Sequence, residues 1–298
     1  MQFDSVAEKL FFNTVKITTW TATGDEGSGT GFFFEALHDG QAVPLIVTNK
    51  HVVDGTVRAT MVFHRNDGGK PALGETLKVE FDAEAWTGIW VGHPDPTIDI
   101  TVCAFQPMVQ ALLDTHGVSP FCAFVKYENI PSAETLAELD ALESVTFVGY
   151  PNGIWDSKNF LPVARRGTTA SPLQVNFEGT PRFLIDASVF GGSSGSPVFI
   201  ADSGSYSTKS GSLVAGSRFY FLGVIAAVFY RTQYNEIVPV PIPTAIKTMT
   251  AQQEMLDLGV VFKASTVVET AEAFIQRIIE ANKRKPQFSY KPRLHGLP

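Results

Sequence analysis

Residues Gly191-Gly192-Ser193-Ser194-Gly195-Ser196-Pro197 read GGSSGSP, between the apolar runs FLIDASVF (183–190) and VFIA (198–201). Three glycines and three serines in these seven residues supply nothing large enough to pack a core. Glycine adopts backbone conformations that other residues avoid, and it lets a substrate approach the main chain closely. A serine held in such a turn can expose its hydroxyl while neighbouring N–H groups converge on one point. A serine nucleophile with an oxyanion hole needs that arrangement. A plain Gly/Ser-rich hairpin turn fits the same residues, so the choice rests on what surrounds them.

Working outward, short strand signals dominate. Val15–Trp20 alternates apolar and polar residues as a strand does, and Asp25–Gly31 reads as a loop leading into Phe32–Phe34. Pro44–Thr48 is an apolar run bounded by turn residues, a buried strand, and His51 follows it directly in LIVTNKHVVDG. Residues 57–64 and 76–82 are strands split by the turn Asn66–Gly69, and Trp86–Val91 is another. Further strands are expected at Val145–Tyr150, Phe183–Phe190, Phe221–Val228 and Ile237–Ile242, with a surface hairpin over Asp202–Ser217. Ser5–Glu8 fits a capping box for a short helix over 4–12, and 131–143 reads as one short helix or loop. Thr244–Leu258 has helical spacing. A second capping box, Thr266–Glu269, precedes Val267, Ala271, Phe274, Ile275 and Ile278 on one helical face. Many short strands followed by two helices imply an all-β barrel or sandwich pair with helical ends.

Composition narrows the function. The 298 residues are 44% hydrophobic and 18% charged, an ordinary globular balance. A net charge of −7 gives a nucleic-acid partner no electrostatic support. There are only two cysteines, Cys103 and Cys122, fewer than a disulfide-stapled secreted domain carries. MQFDSVAEKLFFNTV has no basic n-region with a long apolar h-region, and no run approaches a membrane span. A soluble chain in a reducing compartment, most simply the cytoplasm, is expected, with no membrane partner. Metal-ligand spacings and phosphate loops are absent, so neither a metal nor a cofactor is expected; His93-Pro94-Asp95 and His38-Asp39 read as polar turns.

A serine hydroxyl needs a base, usually histidine, and a third group that orients the base. Of the six histidines, His51 alone follows a buried strand at the start of a turn, where a side chain is held rigidly yet reaches a cleft. Asp99, in TIDITV, sits among apolar residues at a strand start. A partly buried carboxylate there requires a partner, and an imidazole N–H is a natural one.

The order His, Asp, Ser in TNKHVV, DITV and GGSSGSP resembles the trypsin-like serine peptidases of the chymotrypsin fold, most of all the bacterial HtrA-like branch without a PDZ domain. The resemblance covers about residues 10–248, and GSGTGFFF and VGYPNGIWD extend it. It implies two six-stranded antiparallel barrels with the site between them. His51 would be the general base and then acid, Asp99 its orienting carboxylate and Ser194 the nucleophile. The N–H groups of Gly192 and Ser194 would form the oxyanion hole. Ser193 fits G-x-S-x-G, but that elbow needs a following helix and a downstream histidine in Ser-Asp-His order; Pro197–Ile200 reads as strand instead. The resemblance also places the base of the S1 pocket at Ser188, Val189 and Phe190 and one wall at Ile225–Val228, with Ala226 and Ala227 leaving the entrance open. With no acid at 188–190, an apolar P1 residue is expected, unless Asp186 enters through a slip of register.

Two departures stand out. Ser193 replaces the aspartate that pairs with a freed N-terminus in digestive enzymes, so activation by N-terminal cleavage is not expected. Ser196 stands where the family usually has glycine. The expected organisation is a protease domain over 1–248, with barrels at about 10–115 and 116–248, and a helical extension with a basic tail over 249–298. The expected partners are a protein or peptide substrate and a regulatory protein engaging the C-terminal helices. A catalytically inert or gated trypsin-fold binding module is the competing reading.

Overall fold

Phe32, Phe33 and Phe34 are consecutive and all buried, which a strand permits only when both of its faces are covered. The computed structural model describes residues 3–233 and 252–284 and supplies both covers. Phe32 and Phe34 point into one apolar cluster and Phe33 into another; the neighbouring strand divides likewise, with Leu45 and Val47 beside Phe32, and Ile46 beside Phe33. The cluster around Phe33, Met61, Phe63, Trp86 and Phe105 is the core of the N-terminal half. The cluster around Phe32 and Phe34 includes Phe199, Phe221 and Phe262 and cements the two halves together.

The N-terminal half runs α1 (Val6–Leu10), β1 (Thr14–Thr21), β2 (Glu26–His38), β3 (Gln41–Thr48), α2 (Lys50–Val53), β4 (Thr56–Asp67), β5 (Lys70–Asp82), α3 (Ala83–Ile89), β6 (Val91–Gly92), β7 (Thr101–Ala104), α4 (Gln106–His116), β8 (Pro120–Phe121) and β9 (Val125–Lys126). These strands form one nine-stranded sheet along the path β5-β4-β1-β2-β3-β7-β6, with β8 on β4 and β9 on β2. The C-terminal half runs α5 (Ala133–Glu138), β10 (Ser144–Gly149), β11 (Val163–Thr169), β12 (Arg182–Asp186), β13 (Pro197–Asp202), β14 (Ser205–Ser207), β15 (Leu213–Ala215), β16 (Arg218–Gln233), β17 (Gln252–Lys263) and α6 (Ala264–Arg284). Here β10-β11-β12-β17-β16-β13 close into a six-stranded barrel around Phe147, Phe183, Ile185, Val198, Ile225 and Val261, while β14 and β15 make a separate hairpin. This is the all-β, chymotrypsin-like architecture with helical ends. The second barrel closes through its pairings; the first half is a larger sheet whose path ends, β5 and β6, are not paired with each other.

Several elements differ from the sequence reading. Asp25–Gly31 is mostly strand, because its glycines mark close packing rather than a turn: a Cβ at Gly29 would overlap Val52, and one at Gly31 would lie 3.0 Å from Ile46 and Val15. Trp86–Ile89 is helical, since the Asp82 carboxylate caps α3 through the Ala85 N–H and buries Trp86. Residues 252–258, expected to be helical, belong to β17, which pairs with both β12 and β16, so the strand that completes the barrel lies beyond residue 248. The remainder of that expected helix, the strand at Ile237–Ile242 and the tail from 285 lie outside the described residues. Helix α6 begins at Ala264, so Thr266 lies inside it and its hydroxyl donates to the Lys263 carbonyl instead of capping. The helix α4 carried no signal that the sequence reading used.

Helix α6 leaves the barrel and returns to the first half. Val267, Ala271, Phe274 and Ile275 are buried in the same cluster as Ile98, Ile100 and Val102. The apolar face read from the sequence is therefore spent on the protein's own core. No helix among the described residues is long and apolar enough to cross a membrane.

Candidate active site

The pairing of β3 with β7 brings Thr48 opposite Thr101, so the residues just after β3 and just before β7 are neighbours. His51 lies in the first turn of α2 and Asp99 ends the loop before β7. The Asp99 carboxylate accepts from the His51 main-chain N–H at 3.1 Å and meets the ring Nδ1 at 2.5 Å. The Asn49 side-chain amide donates to the Asp99 carbonyl at 2.6 Å. Three contacts thus fix the aspartate to the segment that bears the histidine. The His51 side chain stays half exposed and that of Asp99 is largely covered. Among the described residues, Nδ1 is engaged by a carboxylate and Nε2 has no hydrogen-bond partner.

The Gly/Ser stretch of the second half forms a tight loop between β12 and β13. Gly192 and Gly195 have φ of +80° and +87°, the left-handed region that favours glycine. A Cβ at Gly195 would overlap the Thr30 carbonyl oxygen, and one at Gly192 would overlap that of Tyr150. Four successive loop carbonyls are engaged. Gly191 accepts from the Asn152 N–H at 2.5 Å and Ser193 from the Ser196 N–H at 3.0 Å. Gly192 accepts from the Thr30 hydroxyl and Ser194 from the Thr30 N–H, both at 2.9 Å. In a trans peptide the C=O and N–H point opposite ways. Anchoring the carbonyls of Gly191 and Ser193 to the protein therefore turns the N–H groups of Gly192 and Ser194 away from those anchors. Among the described residues neither N–H has a protein acceptor.

Ser194 is half buried, whereas Ser193 is 2% exposed and Ser196 fully buried. Of the three serines, Ser194 alone keeps access to solvent. Its hydroxyl has no hydrogen-bond partner among the described residues, His51 included. Of the residues expected around an S1 pocket, Ser188, Phe190 and Ala227 reach the surface; Val189 is buried in the barrel core and Ala226 in the cluster between the halves. The Arg165 guanidinium lies 5.0 Å from the rings of both Phe147 and Phe190. Burial holds its pKa below the usual arginine value, against the opposing pull of Asp257. No group of three or more His, Cys, Asp or Glu side chains among the described residues is arranged to hold a metal.

Sequence reasoning missed Thr30, Asn49 and Asn152. Asn49 stands two residues before His51, a place where an orienting amide could have been sought. The roles of Thr30 and Asn152 depend on contacts between distant segments and left no local signal.

Two packed β halves, with a histidine–aspartate pair on one and an anchored Gly/Ser loop on the other, define the serine-peptidase class of architecture. A family model described as a trypsin-like peptidase domain matches residues 29–205, and the chain belongs to that family. It is a serine-type peptidase, a hydrolase. The chain is similar to the active form of the Rv3671c protease from M. tuberculosis, at 20% identity over 90% of this chain and 82% of that one, with a TM-score of 0.44. It is also similar to Deg5, at 19% identity over 74% and 81% with a TM-score of 0.43. The thermostable serine protease AL20 from an extremophilic microorganism is a third, at 13% identity over 88% and 97% with a TM-score of 0.43. No curated protein matches the chain.

Proposed function

We propose that the protein is a serine endopeptidase working through an acyl-enzyme, with His51, Asp99 and Ser194 as its triad. The observation that carries this reading is the Asp99 carboxylate held at 2.5 Å from His51 Nδ1, on the half that faces the Ser194 loop. His51 Nε2 takes the Ser194 proton as Oγ bonds to the scissile carbonyl carbon. The C–N bond then breaks, and the same proton passes to the leaving amine. Water, deprotonated by His51, releases the acyl group and restores the serine. Asp99 stays ionised and stabilises the imidazolium. The N–H groups of Gly192 and Ser194 receive the oxyanion, each such donor contributing about 2.7–4 kcal/mol.

The substrate class is a peptide with an apolar P1 side chain. Ser188, Val189 and Phe190 include no acid, and the Arg165 cation over Phe190 opposes a basic side chain. A peptide library cleaved mainly after Lys or Arg would overturn this specificity. A reducing compartment such as the cytoplasm suits the two unpaired cysteines. The polar face of α6 is the part left for a regulatory partner. Labelling with a fluorophosphonate tests the chemistry: wild type and Ser193→Ala are expected to label and Ser194→Ala is not. Labelling lost only in Ser193→Ala would sink this assignment. A gated enzyme is the second reading, supported by the lack of a hydrogen bond between Ser194 Oγ and His51; a wild type that labels only when substrate or a partner is added would favour it.

A further inference from the structure

We propose that Thr30 is a positioning residue of the oxyanion hole, reaching from the first half to hold the Gly192 peptide in place. The proposal rests on the peptidase reading above, with Ser194 as nucleophile. Thr30 lies in β2, 162 positions before Gly192, and is fully buried. All of its polar groups are engaged. Its N–H donates to the Ser194 carbonyl at 2.9 Å, and its own carbonyl accepts from the Thr48 hydroxyl at 2.8 Å. Its hydroxyl accepts from the Tyr150 N–H at 3.2 Å and donates to the Gly192 carbonyl at 2.9 Å. The direction of that last bond is forced. A hydroxyl has one proton; the Tyr150 N–H can only donate to it, so the proton goes to Gly192.

Gly192 needs such a tether. Its left-handed φ of +80° suits glycine, and glycine leaves that position freely as well. Two planar peptides flank its Cα: the preceding one carries the Gly192 N–H, and the following one, whose Ser193 N–H donates to the Phe190 carbonyl at 3.0 Å, sets where that Cα and the next peptide sit. The Asn152 N–H fixes the preceding plane through the Gly191 carbonyl, and the Thr30 hydroxyl fixes the following plane through the Gly192 carbonyl. The surroundings leave no slack. A Cβ on Gly149 would overlap Ser196 Oγ and lie 2.7 Å from Thr30 Oγ1. Any residue at position 30 could supply the main-chain N–H to Ser194. Only a hydroxyl also reaches Gly192, which separates this role from the packing of the strand.

The test compares the full-length wild type with Thr30→Val, which keeps the shape, Thr30→Ser, which keeps the hydroxyl, and Thr30→Ala as a second deletion should valine fail to fold. Turnover of an apolar-P1 peptide, affinity for a peptide boronate and thermal melting are measured on each. Losing an oxyanion donor outright costs about 100- to 1000-fold in kcat. Loosening one should cost about tenfold or more in Thr30→Val with KM within about twofold, since the loss lies in the transition state. Boronate affinity should fall with kcat, and Thr30→Ser should restore both. A folded Thr30→Val with wild-type kcat and boronate affinity overturns the role of Thr30 and leaves the peptidase reading standing. So does a kcat loss that Thr30→Ser shares in full. A wild type that neither turns over nor labels removes the peptidase reading and this proposal with it.

Discussion

His93 Nε2 lies 3.0 Å from Oε2 of Glu269, and this contact fastens α6 to the turn that delivers Asp99. The Asp95 N–H donates to His93 Nδ1 at 3.0 Å, so the ring proton sits on Nε2 and is donated to the glutamate. Lys50, the neighbour of His51, donates from Nζ to the carbonyls of His93 and Asp95, each at 3.1 Å. Helix, turn and histidine segment form one connected unit.

Glu269→Ala should therefore reach the site without touching it. It removes the acceptor of a ring N–H that is almost fully buried, at an expected cost of about 1 kcal/mol, since the glutamate itself is half exposed. Turnover should drop severalfold as the Asp99 turn loosens, and Glu269→Gln should restore most of both. Thermal melts and kcat check this; a Glu269→Ala enzyme identical to wild type would remove the link.

Gly195→Ala should abolish turnover and lower stability. Its φ of +87° alone costs a side chain about 1–3 kcal/mol, and the added methyl meets the Thr30 carbonyl and lies 2.6 Å from Thr48 Oγ1. Gly204→Ala is the matched control, with φ of +90° and open space around it. Equal losses in the two variants, read by denaturant melts, would mean that the close approach of the two halves contributes nothing.

Stability should fall as the pH drops below about 6.5. Burial pushes the His64 imidazole down to about 4, outweighing a main-chain hydrogen bond at Phe160 that works the other way. His64 is 7% exposed, its Nδ1 has no hydrogen-bond partner, and the Phe12 ring packs 4.8 Å from it. Between pH 6.5 and 4 the unfolded chain binds a proton that the folded chain refuses, so stability rises with pH across that window by up to about 3 kcal/mol. His64→Leu should flatten the slope in urea melts at pH 5 and about pH 7.5. An unchanged slope would place the acid sensitivity elsewhere.

Phe274→Ala should cost about 3–5 kcal/mol, the usual range for emptying a buried aromatic site. The ring is 6% exposed and packs in the cluster shared with Ile98 and Ile100. Ile278→Ala, at a position 45% exposed on the same helix, should be close to neutral. If the two variants melt alike, α6 does not anchor the first half.

What could be read in advance follows from how local each signal is. The run FFF announced a strand and LIV a buried one, and His51, Asp99 and GGSSGSP each stood out from their neighbours. GSGTG misled because a glycine chosen for close packing looks like a glycine chosen for a turn. Trp86 and Trp90 weighed toward strand, but a cap at Asp82 and burial of Trp86 made a helix. Residues 252–258 hold Gln, Glu, Met and Leu, all good helix formers. Pairing with two strands overrides them, and the left-handed Asp257, with φ of 55°, breaks the alternation that would have revealed it. Thr30 was invisible because its hydroxyl's partners, Tyr150 and Gly192, lie 120 and 162 positions away.

The return of α6 to the first half also sets a clock. Glu269 is translated 176 positions after His93, an interval of roughly 10–35 s on a ribosome adding about 5–20 residues per second. Throughout that time Ile98, Ile100 and Val102 lack the helix that covers them, and for much of it the serine loop does not yet exist. A nascent chain therefore presents the histidine–aspartate pair well before the Gly/Ser loop is made. The cluster between the halves is complete only once translation has delivered α6.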